Sequence, residues 1–595
     1  MEKCDSKRPL PSLRYLKLSN NGLVGKIPEW LGQLKNLQQL RLAFNFFEGP
    51  IPASLGKLPN LANLVLSRNQ LNGTLPDSFG QLTELSILDV SSNFLTDWKS
   101  CHLGPSFPTW LKSQKELKFL DISNASISDS IPGWFWDISS SLSLLNFSFN
   151  QLNGELPNPF PAFPFADIDL SENLLKGTIP LLSAPFELLD LSNNKFQGHI
   201  PQNISEVMPD LIFLSLSGNE ISGEIPATIG MTLFQVIDLS NNKLTGNVPS
   251  SIGKCSYLKA LDLGNNNLSG SVPSSLGQLI QLQSLHLNDN KFSGGVPFSL
   301  KNLFSLETLD LGNNRLSGKF PAWISDGFQN LRILILRLRS NSFYGELPLG
   351  MSSLSSLQVL DLAENNLTVN VPTSIRDLNA MVQEQKMNEY LLYGKYRGIY
   401  YEESLVVNLK NQFQKYTKTL SLLTSIDLSR NSLLSQYIVK GDIGLPHNGI
   451  SISILRSQSA SSPVEDIAIN FDSMVENNFN GGFPVELTKL HGLIVLNLSG
   501  NQISGQIPEN ISNLHQSASL DLSSNMLSGA IPSSMESMSY LSYLNFSNNN
   551  LSGMVPYKGQ MTTFTASAFE GNPHLCGAPH FYYYAKMGTQ TIEQH

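Results

Sequence analysis

Leucines recur along this chain in a fixed pattern: two on alternate positions, and a third after an asparagine. Between residues 496 and 529 the pattern L-x-L-x-x-N-x-L occurs twice, with Asn501 and Asn525 at equivalent positions 24 residues apart. Repeats of about this length, with one short strand each, are typical of solenoids. The pattern therefore predicts an α/β repeat solenoid with a horseshoe-like curve and one parallel sheet on its concave side.

The repeat asparagines predict about fifteen turns in residues 1–378. The first four follow one another at steps of 24 residues: Asn21, Asn45, Asn69 and Asn93. Further on, Asn124 lies one position out of register. The turn that ends at Asn341 carries extra residues, which we expect near Arg337–Leu338.

Each turn combines an inward-facing strand with a polar bend. Paired leucines such as Leu309 and Leu311 alternate with polar residues, so both point to one side of a strand. One turn cannot bury them, but a stack of turns can. The asparagine amide both donates and accepts, and can satisfy backbone groups in the bend. At about 4.8 Å between neighbouring strands, some nineteen turns predict a curved sheet roughly 90 Å long.

The period breaks in residues 379–424, which we interpret as an island inserted between repeats. This segment is rich in tyrosine and basic residues, a composition typical of interfaces. Two readings stay open, a flap whose rings pack on the solenoid and a surface that contacts a partner. The predicted partner-binding residues of the island are Tyr396, Arg397, Tyr400, Tyr401, Lys410, Lys415 and Tyr416.

A second break covers residues 432–477, which fit no repeat. Joining Asn431 directly to Asn478 regenerates a regular turn, so we interpret 432–477 as an interruption of one repeat, possibly a retained intron. The rival interpretation is one degenerate extra turn. Residues 425–431 and 478–556 then form the terminal repeats, and 557–595 a C-terminal cap remnant with an irregular tail.

Composition argues against several classes of function. The net charge is −9 without a basic tract, so nucleic acid is not an expected partner. We find no run of 18 apolar residues, no N-terminal apolar segment and no spacing typical of a metal or redox site among the four cysteines. No catalytic motif occurs. We expect no enzyme, no cofactor and no metal.

Recognition is expected on the concave side of the predicted sheet. The ligand-binding candidates are the irregular concave residues Tyr15, Lys17, Arg41, Phe44, Arg68, Phe149, Phe213, His286, Arg337 and Arg339. One concave position is aspartate in ten turns. We assign it to the repeat's own hydrogen bonding, because it recurs regardless of its neighbours; a basic ligand is the alternative. Expected glycosylation sites are Asn72, Asn124, Asn203 and Asn510.

Longer strings point to a family. LDISNASISDSIPGWFW (120–136), CHLGPSFPTWL (101–111), residues 400–431 and GQMTTFTASAFEGNPHLCG (559–577) resemble plant leucine-rich-repeat receptor-like proteins without a kinase, most closely the fungal-xylanase (elicitor) receptor group. The resemblance covers nearly the whole chain except 432–477 and the last fifteen or so residues. It implies a plant-type superhelix, a location at the extracellular face of the plasma membrane, an island followed by four terminal repeats, and no activity as an enzyme.

The resemblance also implies partners. Such proteins sense an extracellular protein, peptide or glycan elicitor on the concave face, and they pair with receptor-kinase co-receptors through the island and the terminal repeats. The family's signal peptide, cysteine-paired caps and membrane helix are not found in this sequence, so the chain resembles a truncated member. The leading hypothesis is a receptor ectodomain for defence or developmental signalling. A soluble inhibitor of a cell-wall-degrading enzyme and a non-functional fragment are the alternatives.

Overall fold

The computed structural model is a solenoid of stacked turns with a long parallel sheet on its concave side. It describes residues 12–95, 106–138, 142–160, 166–180, 186–326, 335–367, 371–383, 385, 392–396, 399–409, 412–417, 419–431 and 482–577. Each turn places its strand beside the strand of the turn before, so that the leucines of successive turns stack into one continuous core. This confirms the predicted fold.

The concave sheet has nineteen strands, all parallel. In the order in which they pair, they are β1 (Tyr15–Lys17), β3 (Gln39–Arg41), β5 (Asn63–Val65), β7 (Ile87–Asp89), β8 (Phe119–Asp121), β9 (Leu144–Asn146), β11 (Ala166–Asp169), β13 (Phe186–Asp190), β15 (Phe213–Ser215), β17 (Val236–Asp238), β19 (Ala260–Asp262), β21 (Ser284–His286), β23 (Thr308–Asp310), β25 (Ile335–Arg337), β27 (Val359–Asp361), β33 (Ser425–Asp427), β34 (Val495–Asn497), β36 (Ser519–Asp521) and β38 (Tyr543–Asn545).

A second layer of parallel strands follows the bend of each turn. It consists of β2 (Val24–Lys26), β4 (Phe46–Pro50) and β6 (Gln70–Asn72); then β10 (Asn153–Glu155), β12 (Leu174–Thr178), β14 (Lys195–His199), β16 (Glu220–Glu224), β18 (Lys243–Gly246), β20 (Asn267–Gly270), β22 (Lys291–Gly294), β24 (Arg315–Lys319), β26 (Ser342–Gly345) and β28 (Asn366–Leu367); and β35 (Ser504–Gln506), β37 (Met526–Gly529), β39 (Asn550–Met554) and β40 (His574–Cys576).

The convex side carries short helices. Most are single 3-10 turns that begin after a proline, such as Ala53–Lys57 and Ser250–Lys254. The α-helical turns are α1 (Gly133–Ile138), α2 (Ile204–Val207), α3 (Trp323–Asp326) and α4 (Asn379–Val382). These turns are short because each has only to return the chain to the start of the next strand.

Buried asparagines connect the turns as the sequence suggested. In one typical turn the Asn290 amide nitrogen donates to the carbonyls of Leu263, Leu287 and Asn288 at 2.9–3.3 Å, and its oxygen accepts the Leu268 N–H at 2.9 Å. Each asparagine thus satisfies backbone groups of its own turn and of the previous one. Asn572 continues this series beyond the predicted last repeat, because its oxygen accepts the Leu551 N–H at 3.0 Å.

The register corrects one detail of the sequence interpretation. Arg337 lies opposite Asp310 and Asp361 in the uninterrupted pairing of β23, β25 and β27, so no extra residue lies at Arg337–Leu338. The added length of this turn therefore precedes the strand. Fifteen concave strands end before residue 378, which agrees with the expected number of turns.

Residues 432–481, which include the interruption, lie outside the described residues. On either side of them β33 pairs directly with β34, Ser425 opposite Val495. The Asn431 N–H also donates to the Asn501 side chain at 3.2 Å, as in neighbouring turns. The extra-turn alternative requires a strand between β33 and β34, and this direct pairing leaves no place for one. We retain the interruption as a proposal.

Candidate ligand-binding face

The residue between the two inward leucines of each strand forms a row along the concave face, which we call the central row. Strand pairing places its members directly side by side. Ten members are aspartates. Each accepts the backbone N–H two residues ahead, and in six turns also a serine hydroxyl; Asp190, for example, accepts the Ser192 N–H at 2.9 Å and the Ser192 hydroxyl at 2.6 Å. The aspartates therefore serve the repeat itself.

Crowding of these carboxyls changes their proton affinity. Burial, followed by the neighbouring Asp169 carboxylate, raises the pKa of Asp190 to about 8. Burial and Asp238 likewise raise the pKa of Asp262 to about 7. Both effects disfavour the charged form, because the carboxylates are removed from water and lie next to like charges. The middle of the concave face therefore holds protons more tightly than free carboxyls do.

The island folds back onto this part of the sheet. Its first hairpin, β29 (Leu392–Tyr396) with β30 (Ile399–Glu402), is antiparallel. The Tyr393 hydroxyl donates to Glu307 Oε2 at 3.0 Å, and the Tyr401 hydroxyl donates to Asp262 Oδ2 at 2.9 Å. The two rings also form a buried apolar cluster with the concave side chains Leu188, Phe213, Val236 and Ala260. Of the two readings of the island, this is the flap packed on the solenoid.

Glu403 is the central polar contact between island and sheet. Its carboxylate accepts the Ser284 hydroxyl at 2.7 Å and lies 2.7 Å from His286 Nε2. The residue is 1% exposed. Burial lowers the pKa of His286, but the Glu403 carboxylate, with Asp262 and Asp310, outweighs this effect and raises it to about 10. The contact is therefore a buried ion pair at neutral pH.

The second hairpin of the island covers the strands beyond His286. It consists of β31 (Leu405–Leu409) and β32 (Gln412–Tyr416), which pair antiparallel. Leu405 and Val407 point inward and form a buried cluster with Ile335, Val359, Leu420, Leu423 and Val495. Val406, between them, points outward and is 37% exposed. The alternation within β31 thus gives the island an apolar underside and an exposed upper side.

Two concave arginines are held by carboxylates of this chain. Arg337 Nη1 lies 2.8 Å from Asp310 Oδ2, and Arg339 Nη1 lies 3.0 Å from Asp361 Oδ2. Both arginines are buried, with 6% and 5% exposure. Each cation in the central row here lies between acidic neighbours, so its charge is balanced within the sheet.

Near the amino-terminal end the concave face is differently built. We call the concave residues of β1, β3, β5, β7, β8 and β9 the N-terminal face. In the described part of the chain, the island's apolar clusters and hydrogen bonds begin at Leu188 in β13 and do not include these six strands. The central row there starts with Lys17 and Arg41, passes Val65 and continues with Asp89 and Asp121. The charge of the N-terminal face therefore changes sign along the sheet.

Family models match the repeats directly. A "Leucine rich repeat" model matches residues 232–292, and a second "Leucine Rich Repeat" model matches ten stretches between residues 12 and 538. With the stacked strands, these matches decide the family.

The chain is a leucine-rich-repeat protein.

Curated relatives of this leucine-rich-repeat chain are plant receptor-like proteins. Receptor-like protein EIX1 of Solanum lycopersicum is 45% identical over 84 residues, 14% of this chain and 8% of that protein. Receptor-like protein EIX2 of the same plant is 35% identical over 128 residues, 21% and 12%. Receptor like protein 22 of Arabidopsis thaliana is 38% identical over 337 residues, 55% and 40%. The chain spans less than half the length of these relatives.

Solved structures agree with these relatives. The Arabidopsis receptor kinase HAESA, in complex with the peptide hormone IDA and the co-receptor SERK1, has 28% identity and a TM-score of 0.63, over 95% of this chain and 83% of that one. The plant peptide hormone receptor RGFR1, in complex with RGF2, has 27% identity and a TM-score of 0.64, over 95% and 83%. Among the described residues, no helix could cross a membrane, and no three potential metal ligands cluster.

The structure corrects four of the ten ligand-binding candidates. Phe213 and His286 lie beneath the island, and Arg337 and Arg339 are engaged by carboxylates, so none of the four is exposed for a ligand here. Their partners lie up to 117 residues away in sequence, which no local pattern reveals. The remaining six candidates are exposed or half-exposed and stay predictions: Tyr15, Lys17, Arg41, Phe44, Arg68 and Phe149.

The island candidates divide in the same way. Tyr401 is buried against Asp262, which corrects its assignment as a partner-binding residue. Lys415 is exposed and Tyr416 is half-buried. The side chains of Tyr396 and Tyr400, and residues Arg397 and Lys410, lie outside the described part. Of the expected glycosylation sites, Asn124, Asn203 and Asn510 are exposed and Asn72 is half-exposed.

Sequence reasoning missed the residues that fix the island. Glu403, Ser284 and Glu307 were not singled out. A usable signal was the alternation of apolar and polar residues around β31, since it shows that the island has an inner face. Which concave residues that face meets depends on the fold.

Proposed function

We propose that this chain is the ligand-recognition region of a plant cell-surface receptor-like protein. In this role it binds an extracellular peptide, protein or glycan elicitor on the concave face and pairs with a co-receptor kinase in defence or developmental signalling. The observation that carries the proposal is the division of the concave face. The island covers its middle, and the N-terminal face stays open with exposed aromatic and basic side chains.

Two similar structures support this assignment of roles. HAESA and RGFR1 are receptors in complex with peptide hormones, and the HAESA complex also contains the co-receptor SERK1. By analogy we assign ligand recognition to the N-terminal face. We assign the co-receptor to the upper side of the island, where Glu402, Val406 and Lys415 are exposed, and to the adjoining terminal repeats.

Location and modification belong to the same proposal. We place the full-length protein at the extracellular face of the plasma membrane, where plant receptor-like proteins act. We expect N-linked glycans at Asn124, Asn203 and Asn510, because these acceptor sequences are exposed. Mass spectrometry of protein secreted from plant cells tests the glycans site by site.

The experiment uses two probes, a fungal xylanase and the SERK1 ectodomain, on the purified full chain. Biolayer interferometry measures the binding of each, and a xylan hydrolysis assay measures enzyme activity in the same mixtures. We expect xylanase to bind without losing activity, and SERK1 binding to weaken at least tenfold on Lys415→Glu. Lys254→Glu, an exposed change on the convex side, is the control.

Other outcomes contradict the proposal. Inhibition of xylanase at stoichiometric amounts of the chain supports the soluble inhibitor instead. If neither xylanase nor SERK1 binds a chain that is folded by circular dichroism, the receptor assignment is wrong.

A further inference from the structure

We propose that the N-terminal face binds a free linear peptide of about nine residues, with an acidic group over Lys17 and Arg41 and a basic group over Asp89 and Asp121. The inference rests on the proposed function and deepens it, since it specifies the chemistry of the ligand. It follows from the dimensions of the face, from its unpaired charges and from aromatic side chains at its edge.

The dimensions come from the strand spacing. Six parallel strands at about 4.8 Å each form a face about 29 Å long. An extended peptide that crosses them advances about 3.3 Å per residue, so about nine residues fill the face. The far end is set by the island, which buries Leu188 in β13. A longer extended ligand would meet the island hairpin.

The cationic end lacks the partners that arginines receive elsewhere in this sheet. Arg337 occupies the same row as Arg41 and lies between Asp310 and Asp361, with an ion pair at 2.8 Å. Arg41 instead lies between Lys17 and Val65. Its Nε is buried without a hydrogen-bond partner, and no ion pair joins Lys17 or Arg41 to a carboxylate within the described residues. A carboxylate of a ligand would supply the missing partner.

The acidic end shows the opposite deficit. Asp121 lies between Asp89 and Asn146 in the central row, and no lysine or arginine pairs with either aspartate among the described residues. Burial, followed by the Asp89 carboxylate, raises the pKa of Asp121 to about 6. A basic side chain of a ligand would balance this pair as Arg337 balances Asp310 and Asp361.

Aromatic side chains line the edge of the N-terminal face. Phe44 follows β3 and Phe149 follows β9, with 52% and 61% exposure. Both have positive φ angles, 55° and 54°, at a position that is asparagine in seven other turns. A bulky residue is unfavourable in that conformation, and such strain concentrates at functional sites. The Arg68 guanidinium lies over the Phe44 ring, 4.9 Å from its centre. These rings offer apolar contacts to a bound peptide.

Three synthetic nonapeptides test the proposal on the full chain. The first has three glutamates, a Gly-Ser-Gly spacer and three lysines; the second has the same composition with alternating charges; the third has six lysines around the spacer. Fluorescence anisotropy measures their affinity. We expect the first peptide to bind at least tenfold more tightly than the second, and less tightly as salt increases.

Two charge reversals locate the binding. Arg41→Glu and Asp121→Lys should each weaken the first peptide at least tenfold, and Arg41→Glu should strengthen the binding of the six-lysine peptide. The convex-side variant Lys254→Glu should change neither affinity. Circular dichroism and the melting temperature check that each variant is folded. Equal binding of the first two peptides, or an Arg41→Glu effect no larger than that of Lys254→Glu, overturns the proposal.

The outcomes separate this inference from the proposed function. If xylanase and SERK1 fail to bind but the first peptide binds in an Arg41-dependent manner, the site stands and the receptor role falls. If xylanase binds and Arg41→Glu has no effect on it or on the peptides, the peptide site falls and the receptor role stands. If xylanase binding depends on Arg41 while the peptides do not bind, the face recognises a folded protein and the peptide proposal is wrong.

Discussion

Replacing Glu403 by glutamine should release the island from the concave sheet. The change keeps the size of the side chain and removes its charge. In the structure the carboxylate is fully buried, lies 2.7 Å from His286 Nε2 and accepts the Ser284 hydroxyl at 2.7 Å. No other residue holds strands and island together through an ion pair in the described part of the chain. The variant therefore tests whether this contact keeps the island closed.

The expected magnitude follows from the burial of the pair. Removing one partner of a buried ion pair costs about 3–5 kcal/mol, because the other charge is left without compensation. His286 retains the Asp310 carboxylate at 3.9 Å and can also release its proton. We therefore expect the low end of that range, about 3 kcal/mol. This free energy corresponds to about a hundredfold larger population of the open island.

Hydrogen exchange followed by mass spectrometry measures that population. Amides of the two island hairpins should exchange about a hundredfold faster in Glu403→Gln, while amides of the distant strands β3 and β5 should not change. Glu402→Gln is the matched control, because Glu402 is the adjacent residue, has the same side chain and is exposed. A double-mutant cycle with His286→Gln should give a coupling energy of about 2 kcal/mol.

Two results would refute the reasoning. If Glu403→Gln accelerates exchange in the island no more than Glu402→Gln does, the ion pair does not hold the island closed. If the effects of Glu403→Gln and His286→Gln simply add, the two side chains act independently, and the docking energy lies in the apolar clusters.

Three further predictions concern stability. The pKa values of Asp190 and Asp262 are raised to about 8 and about 7 in the folded state, so their protons stabilise the fold at low pH and this contribution is lost as the pH rises through these values; the melting temperature should be lower at pH 8.5 than at pH 5.5, and an equal or higher value would contradict this. Deleting residues 432–477 shortens a connection of 51 residues to 5 and should raise the free energy of unfolding by about 2 kcal/mol, whereas a loss of stability in urea titrations would show that the segment contributes to the fold. Asn290→Ala removes four hydrogen bonds and should lower the free energy of unfolding by about 3 kcal/mol; the exposed Lys291→Ala should lower it by less than 0.5 kcal/mol, and equal urea midpoints would argue against the role of the buried amide.

The sequence predicted the architecture because the repeat pattern encodes purely local requirements. Alternating leucines, the asparagine at the bend and the step of 24 residues determine one turn, and every turn then stacks on a neighbour of the same shape. The same locality made the Asn431 junction visible in the sequence, since a repeat interrupted after its asparagine is recognisable letter by letter. The structure agrees, with β33 paired directly to β34.

The candidate site was predicted only in part, because a concave position does not reveal whether its residue is free. Arg41 and Arg337 occupy the same row and were both expected to contact a ligand. Arg41 lacks a carboxylate neighbour, whereas Arg337 lies 2.8 Å from Asp310. His286 was likewise expected to face a ligand and instead meets Glu403, 117 residues further along the chain.

By itself, then, the sequence determined the solenoid, its number of turns, the position of the island and the role of the aspartates, because each of these depends on contacts between residues of the same turn or of adjacent turns. The tertiary structure alone decided which concave residues stay open. The island returns across many turns to strands that precede it, and its contacts join residues 86 to 139 positions apart. Contacts at that separation leave no periodic trace in the sequence, so only the folded chain shows that the middle of the face is covered and that its amino-terminal end is open.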